Sequence, residues 1–270
     1  MVKNRFRFLC ILNFIGFIGT IVVNALANIL PINGNTTGDL SDKYPNLFVP
    51  AGFTFSIWAV IYVLLGIFTI YHLIMALKKN IANSPYIERI GLLFFISCLA
   101  NIGWIFAWHY EILPLSLSMM LILLGCLIAI YLRLNIGKSE TTKTEKHVAH
   151  IPFSVYLGWI TVATIANVTA LLVDMNWGAL GLSDQFWAVA VITVALVITI
   201  LIIELRRDVF YSLVVDWALF GILMKRLAAN TPGGENVVLV SIVGMVVITT
   251  LILIQVIRKK AYHFSHATSY

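Results

Sequence analysis

Apolar residues concentrate in eight stretches of this chain, at about 8–30, 51–77, 90–110, 113–132, 151–173, 185–204, 208–224 and 236–257. Each approaches the roughly 20 residues a helix needs to cross a bilayer. Within hydrocarbon the backbone must satisfy its own hydrogen bonds, which a helix does and an open strand does not. The pattern predicts an all-α integral membrane protein with eight spans.

Inside three of these stretches the polar and aromatic positions recur at helical spacing, so each set shares one face. Residues 156–167 read YLGWITVATIAN and align Tyr156, Trp159, Ala163 and Asn167. Residues 48–62 align Phe55, Trp58 and Tyr62, with Pro50 and Gly52 marking the entry of the helix. Residues 97–108 align Ser97, Asn101, Trp104 and Trp108. Two readings fit. Aromatics near span ends form interfacial belts, as expected for Trp108 and Trp177, and mid-span amides hold helices together. Alternatively the three stripes wall a pocket, where indole and phenol faces suit a flat apolar ligand and the amides orient its polar edge.

Composition supports the membrane reading: 60% of residues are hydrophobic and 11% charged, against about 25% charged in soluble domains. The net charge of +6 invites a nucleic-acid partner only until its distribution is considered. With a cytoplasmic N-terminus, 15 of the 18 Lys and Arg fall on inside segments, and only Lys43, Lys225 and Arg226 fall outside. Both termini are therefore expected in the cytoplasm, with no nucleic-acid role. Ala25-Leu26-Ala27 imitates a signal cleavage site, but the apolar run is long for a signal, and Asn13, Asn24 and Asn28 suit a packed helix. Asn35-Thr36-Thr37 is formally a glycosylation sequon. The polar segment 31–50 is long enough to cover a cavity mouth, whereas 133–150 reads as a solvated connector. No internal repeat is visible, so the inverted-repeat signature of many transporters is missing. Aromatics and amides thin out after Trp177, which divides the chain into 1–177 and 178–270.

No catalytic set emerges, so an enzyme is the weaker expectation. Cys10, Cys98 and Cys126 lie in apolar runs without metal-ligand spacing. His109 and Glu111 read as surface residues of a short loop, and His147 and His150 as part of a solvated segment. Asp216 lies mid-span, where a carboxylate is costly and faces either a hydrogen-bonding partner or a proton path.

The three stripes resemble the TspO/MBR family, the tryptophan-rich sensory or translocator proteins. Phe48, Pro50, Phe55, Trp58 and Tyr62 fit its span-two pattern, and Asn101 and Trp104 its span-three Asn-x-x-Trp. Tyr156, Leu157, Trp159, Ala163 and Asn167 fit its span-five pattern. The resemblance covers about residues 8–177. It departs at Ala51 and Val155, where the family has Pro, at Ser97, where it commonly has Gln, and in a Phe55-to-Trp58 spacing one residue short. The cholesterol-recognition pattern is absent from 171–177; Leu127, Tyr131 and Arg133 match it formally, though the pattern is permissive. The resemblance implies a five-helix bundle, here with three added spans, that binds porphyrins, haem-like tetrapyrroles or other flat hydrophobic ligands, often as a homodimer and without a required cofactor. It further implies that Trp58 and Asn101 meet the ligand's polar edge, Trp159 and Ala163 form the floor, and 31–50 is the lid. Residence in a prokaryotic cell membrane is expected. The competing expectation is a proton-linked transporter that uses all eight spans and Asp216.

Overall fold

The computed structural model describes residues 2–78, 86–229, 234–258 and 260–264. Eleven helices follow one another within them: α1 (Val2–Ile29), α2 (Thr37–Asp42), α3 (Ile57–Leu77), α4 (Tyr86–Ile90), α5 (Leu93–His109), α6 (Leu113–Arg133), α7 (Lys143–Glu145), α8 (Ile151–Asp174), α9 (Asp184–Arg206), α10 (Val209–Ala229) and α11 (Glu235–Ile257). No strand occurs among the described residues. Lys79 and Lys259, counted above with the cytoplasmic cations, lie outside them.

Six helical segments are long and apolar enough to cross a membrane: Asn4–Ile29, Gly52–Leu77, Leu113–Arg133, Lys143–Asp174, Asp184–Arg206 and Glu235–Phe264. The chain is thus an all-α integral membrane protein. The other two predicted spans are helices in the expected places but of different character. Helix α5 has 17 residues, and α10 carries Asp216, Lys225 and Arg226 within its 21.

Helix α5 packs between α1 and α6, α6 packs on α8, and α8 touches both α3 and α10; α9 and α11 pack on α10 and on each other. Two glycines permit the contacts that join the early helices to α10. A Cβ on Gly158 of α8 would lie 2.9 Å from the Tyr211 carbonyl oxygen, and one on Gly221 would lie 2.0 Å from Thr54 Oγ1. At the second contact the Ala51 N–H donates to the Gly221 carbonyl at 3.0 Å, and Trp217 Nε1 donates to the Thr54 carbonyl at 3.0 Å. The turn leading into α3 therefore docks on α10.

The segment 133–150 departs from its sequence expectation. Instead of a solvated connector, its last part coils through α7 and a π turn, Lys146–His150, directly into α8. Ile136, Glu145, Lys146 and His150 are buried. His150 is not solvated: its Nδ1 meets the Tyr262 hydroxyl at 2.8 Å and its Nε2 meets Glu145 at 3.3 Å. The burial comes from the chain after α11, which returns over this end of the bundle, a tertiary contact that local polarity does not encode. His147 stays exposed, as expected.

Candidate functional site

The aromatic stripes of α3, α5 and α8 converge on Trp58. Its ring stacks on Tyr62 at 5.5 Å and on Trp104 at 5.9 Å between centroids. It meets Tyr156 and Trp159 edge-on at 6.1 and 6.2 Å, and Phe55 meets Trp159 edge-on at 5.9 Å. These arrangements match the preferred geometries of quadrupolar rings. The convergence follows from spacing, since each stripe keeps to one face of its helix.

Two cavities adjoin this cluster. The inner one, about 40 Å³, is lined by Phe55, Trp58, Trp104, Trp108, Trp159, Ala163 and Asn167, with Thr37, Ser41, Val49 and Pro50 above. The outer one, about 420 Å³, opens between α1, α2 and α3 and is lined by Asn24, Asn28, Phe55, Trp58, Tyr62 and Trp104 among others. Phe55, Trp58, Trp104 and Thr37 line both. Ligand pockets typically enclose about 300–1,000 Å³, so only the outer cavity is of ligand size in this state. Three donors at these walls, Tyr62 Oη, Trp104 Nε1 and Trp159 Nε1, are buried with no hydrogen-bond partner among the described residues.

The two amides of the stripes are used within the protein. Asn101 is fully buried, accepts from Asn24 Nδ2 at 2.8 Å and donates to the Tyr156 hydroxyl at 3.2 Å. Neither Asn101 nor Tyr156 lines either cavity. Asn167 lines the inner cavity and accepts from Ser116 Oγ at 2.9 Å. Asp216 is half-buried at the α10–α11 contact, away from this cluster. Its Oδ2 accepts from Thr249 Oγ1 at 3.1 Å, and its Oδ1 has no partner among the described residues.

The segment 31–50 roofs the inner cavity. Its short helix α2 starts in a capping box, in which Asp39 N donates to Thr36 Oγ1 at 3.2 Å and Thr36 N to the Asp39 carboxylate at 3.0 Å. Two residues placed at the surface by their sequence context in fact hold this roof. Trp108 is 5% exposed; it stacks on Trp104 at 6.4 Å and donates from Nε1 to the Thr37 carbonyl at 3.3 Å. His109 is fully buried. Its Nδ1–H donates to the Ile32 carbonyl at 3.0 Å, which leaves Nε2 to accept from Thr37 Oγ1 at 3.1 Å. Glu111 completes the attachment, accepting from Lys43 at 2.8 Å and from the Tyr44 hydroxyl at 3.1 Å. The Lys43 hydrogen bond holds the Glu111 carboxyl below the ordinary carboxylate range. Burial, with the Glu111 bond, pushes the Tyr44 phenol up to about 12. Neither belt nor loop statistics include a lid that folds back, so sequence context missed both side chains.

Asp208 also escaped the sequence reading. It is fully buried, accepts from Ser154 Oγ at 2.6 Å and Tyr131 Oη at 2.9 Å, and caps α10 through the Phe210 and Tyr211 N–H groups at 3.1 and 3.2 Å. An Asp directly before an apolar run is the N-cap signal that could have found it.

Fold and cavities together define a helical membrane protein with aromatic-walled spaces beneath a pinned lid. Residues 10–254 match the family described as TSPO-like protein, and the chain belongs to that family. The match extends well past Trp177, into α11. Neither a curated protein nor a solved structure gave a match. Family membership points to a ligand-binding or sensory role in the membrane.

Proposed function

We propose that the protein binds a flat hydrophobic ligand, a tetrapyrrole such as a porphyrin or haem-like molecule, against the Trp58 cluster. The observation that carries this reading is the set of buried donors with no partner among the described residues, Tyr62 Oη, Trp104 Nε1 and Trp159 Nε1, at the walls of two aromatic cavities. Buried donors without partners are costly, and a ligand with acceptor atoms on an apolar ring repays that cost. Phe55, Trp58, Tyr62 and Trp104 supply faces for stacking, Trp159, Ala163 and Asn167 the inner wall, and Asn101 and Tyr156 a fixed support behind them. The ligand enters the outer cavity and reaches the inner one by displacing the shared rings. Homodimerisation and a prokaryotic cell membrane belong to the same proposal by family resemblance.

The test is quenching of intrinsic tryptophan fluorescence by protoporphyrin, using the purified full chain. Trp58→Ala should weaken binding several-fold, the effect of losing a stacking face of roughly 0.5–1.5 kcal/mol. Asn101→Ala should weaken it through loosened support of Tyr156. Unchanged affinity in a folded Trp58→Ala variant places the ligand elsewhere.

A second reading, proton-linked transport of a small molecule, draws on Asp216, whose Oδ1 is buried with no hydrogen-bond partner among the described residues. It requires Asp216 to change protonation during the transport cycle.

A further inference from the structure

A second pair of cavities adjoins the other side of the lid segment, where Ser41 and Val49 also line the inner cavity, and Arg226 lines one of the pair. This residue, near the end of α10, is 7% exposed. Its Nε is sealed from solvent with no hydrogen-bond partner among the described residues, while the Asp42 carboxylate acts on the guanidinium through space without a direct ion pair. Its neighbour Lys225 is engaged by Asp42 of the lid. A guanidinium donor buried without a hydrogen-bond partner is costly, and the group's five donors form a fork that fits an oxyanion in bidentate fashion.

Arg226 lines a hollow of about 420 Å³ with Ser41, Asp42, Asn46, Asp184 and Lys225. This hollow shares Pro45, Asn46, Leu47 and Asp184 with a second one of about 420 Å³, a cleft between α8, α9 and the lid. The second cleft is mostly apolar, and Trp177 and Trp187 close one end with their rings 5.1 Å apart. The two hollows thus adjoin along this shared wall, with a largely buried cation at one and an apolar trough at the other. Of the two carboxylates at the polar end, Asp42 is held by Lys225 and Asp184 is exposed on the first turn of α9. They oppose a head of high negative charge and leave room for a single one.

We infer that this space binds an amphiphile, with a monoanionic oxyanion head on Arg226 and an apolar body in the cleft beside Trp187. A carboxylate of a free amphiphile and the phosphate of a bilayer lipid share this chemistry. The inference does not rest on the tetrapyrrole reading.

The test uses the full chain in phosphatidylcholine nanodiscs, with ω-bromoundecanoate as probe and its methyl ester as the uncharged control. Bromine quenches tryptophan on contact, so Trp187 reports occupancy of the cleft, and Trp187→Phe should remove much of the signal. Arg226→Gln should weaken the acid about tenfold or more, as expected for loss of a charge-assisted pair, and Arg226→Lys should weaken it less. Thr169→Phe, which fills the cleft without touching the cation, should abolish saturable quenching. Equal midpoints for acid and ester overturn the inference, as does parental binding by folded Arg226→Gln or Thr169→Phe. Competition by phosphatidylglycerol added to the nanodisc supports the site and assigns the head to bilayer lipid. Undiminished binding of the acid in its presence supports the site and assigns the head to a free amphiphile.

Discussion

Trp108 and His109, adjacent at the end of α5, show how a residue's role depends on what folds back over it. Both face the lid, and His109 spends both ring nitrogens on it. His109→Ala strands Thr37 Oγ1 and the Ile32 carbonyl, so it should lower stability by about 1–3 kcal/mol, measured as the shift in thermal unfolding of the detergent-solubilised protein. Glu111 gives the lid a pH dependence of definite sign. Because Lys43 holds its carboxyl below the ordinary range, the stabilisation is complete above the unfolded value and is lost as pH falls through the folded one. Both partners are more than a third exposed, 42% and 36%, so the contribution is no more than about 1 kcal/mol. The protection factors of the 37–42 amides, which correct exchange for its intrinsic pH dependence, should therefore fall in acid and stay flat across the neutral range, and Lys43→Met should blunt the acid response. Residue identities and helix faces of the Trp58 cluster were legible from spacing alone. The roles of His109, Trp108 and Asn101 were not, because their hydrogen-bond partners lie 55 to 77 residues away in sequence.

At the scale of elements, helix positions followed from apolar run length, and α3, α5, α6 and α8 fall where the runs place them. What the runs could not supply was the docking of the α3 entry turn on α10, since one glycine and two backbone-directed hydrogen bonds make it. Gly221→Ala should force Thr54 and α10 apart. The expected loss is about 1–3 kcal/mol, the usual cost of overpacking, read from thermal unfolding, and Thr54→Ser should recover part of it by removing a methyl group from the clash. Asp208 fixes the start of α10 from the other side. Asp208→Ala removes a cap worth about 1 kcal/mol and strands the Ser154 and Tyr131 hydroxyls, so a total of about 2–4 kcal/mol is expected. Asp208→Asn, which keeps an acceptor for the cap, should lose less.

For the whole molecule, the expected eight-span path makes a direct prediction: reporters fused after Lys43 and after Lys260 fall on opposite sides of the membrane, and finding them on one side overturns that path. Asp216→Asn separates the two functional readings. The amide keeps the Thr249 contact, so the variant should fold and bind porphyrin as the parent does. Loss of ligand-driven proton movement in liposomes, where the parent shows it, would establish transport instead. The division at residue 177, read from the thinning of aromatics, meets a family match that runs to residue 254 and an α10 packed tightly on α8. The rings shared by the inner and outer cavities carry a kinetic consequence. If a ligand must wait for Phe55 and Trp58 to swing before it passes inward, capture has two phases, a fast one that scales with concentration and a slow one that does not. In stopped-flow mixing the slow rate should plateau as ligand rises, and Trp58→Ala should remove the plateau and speed arrival even as it weakens the final complex.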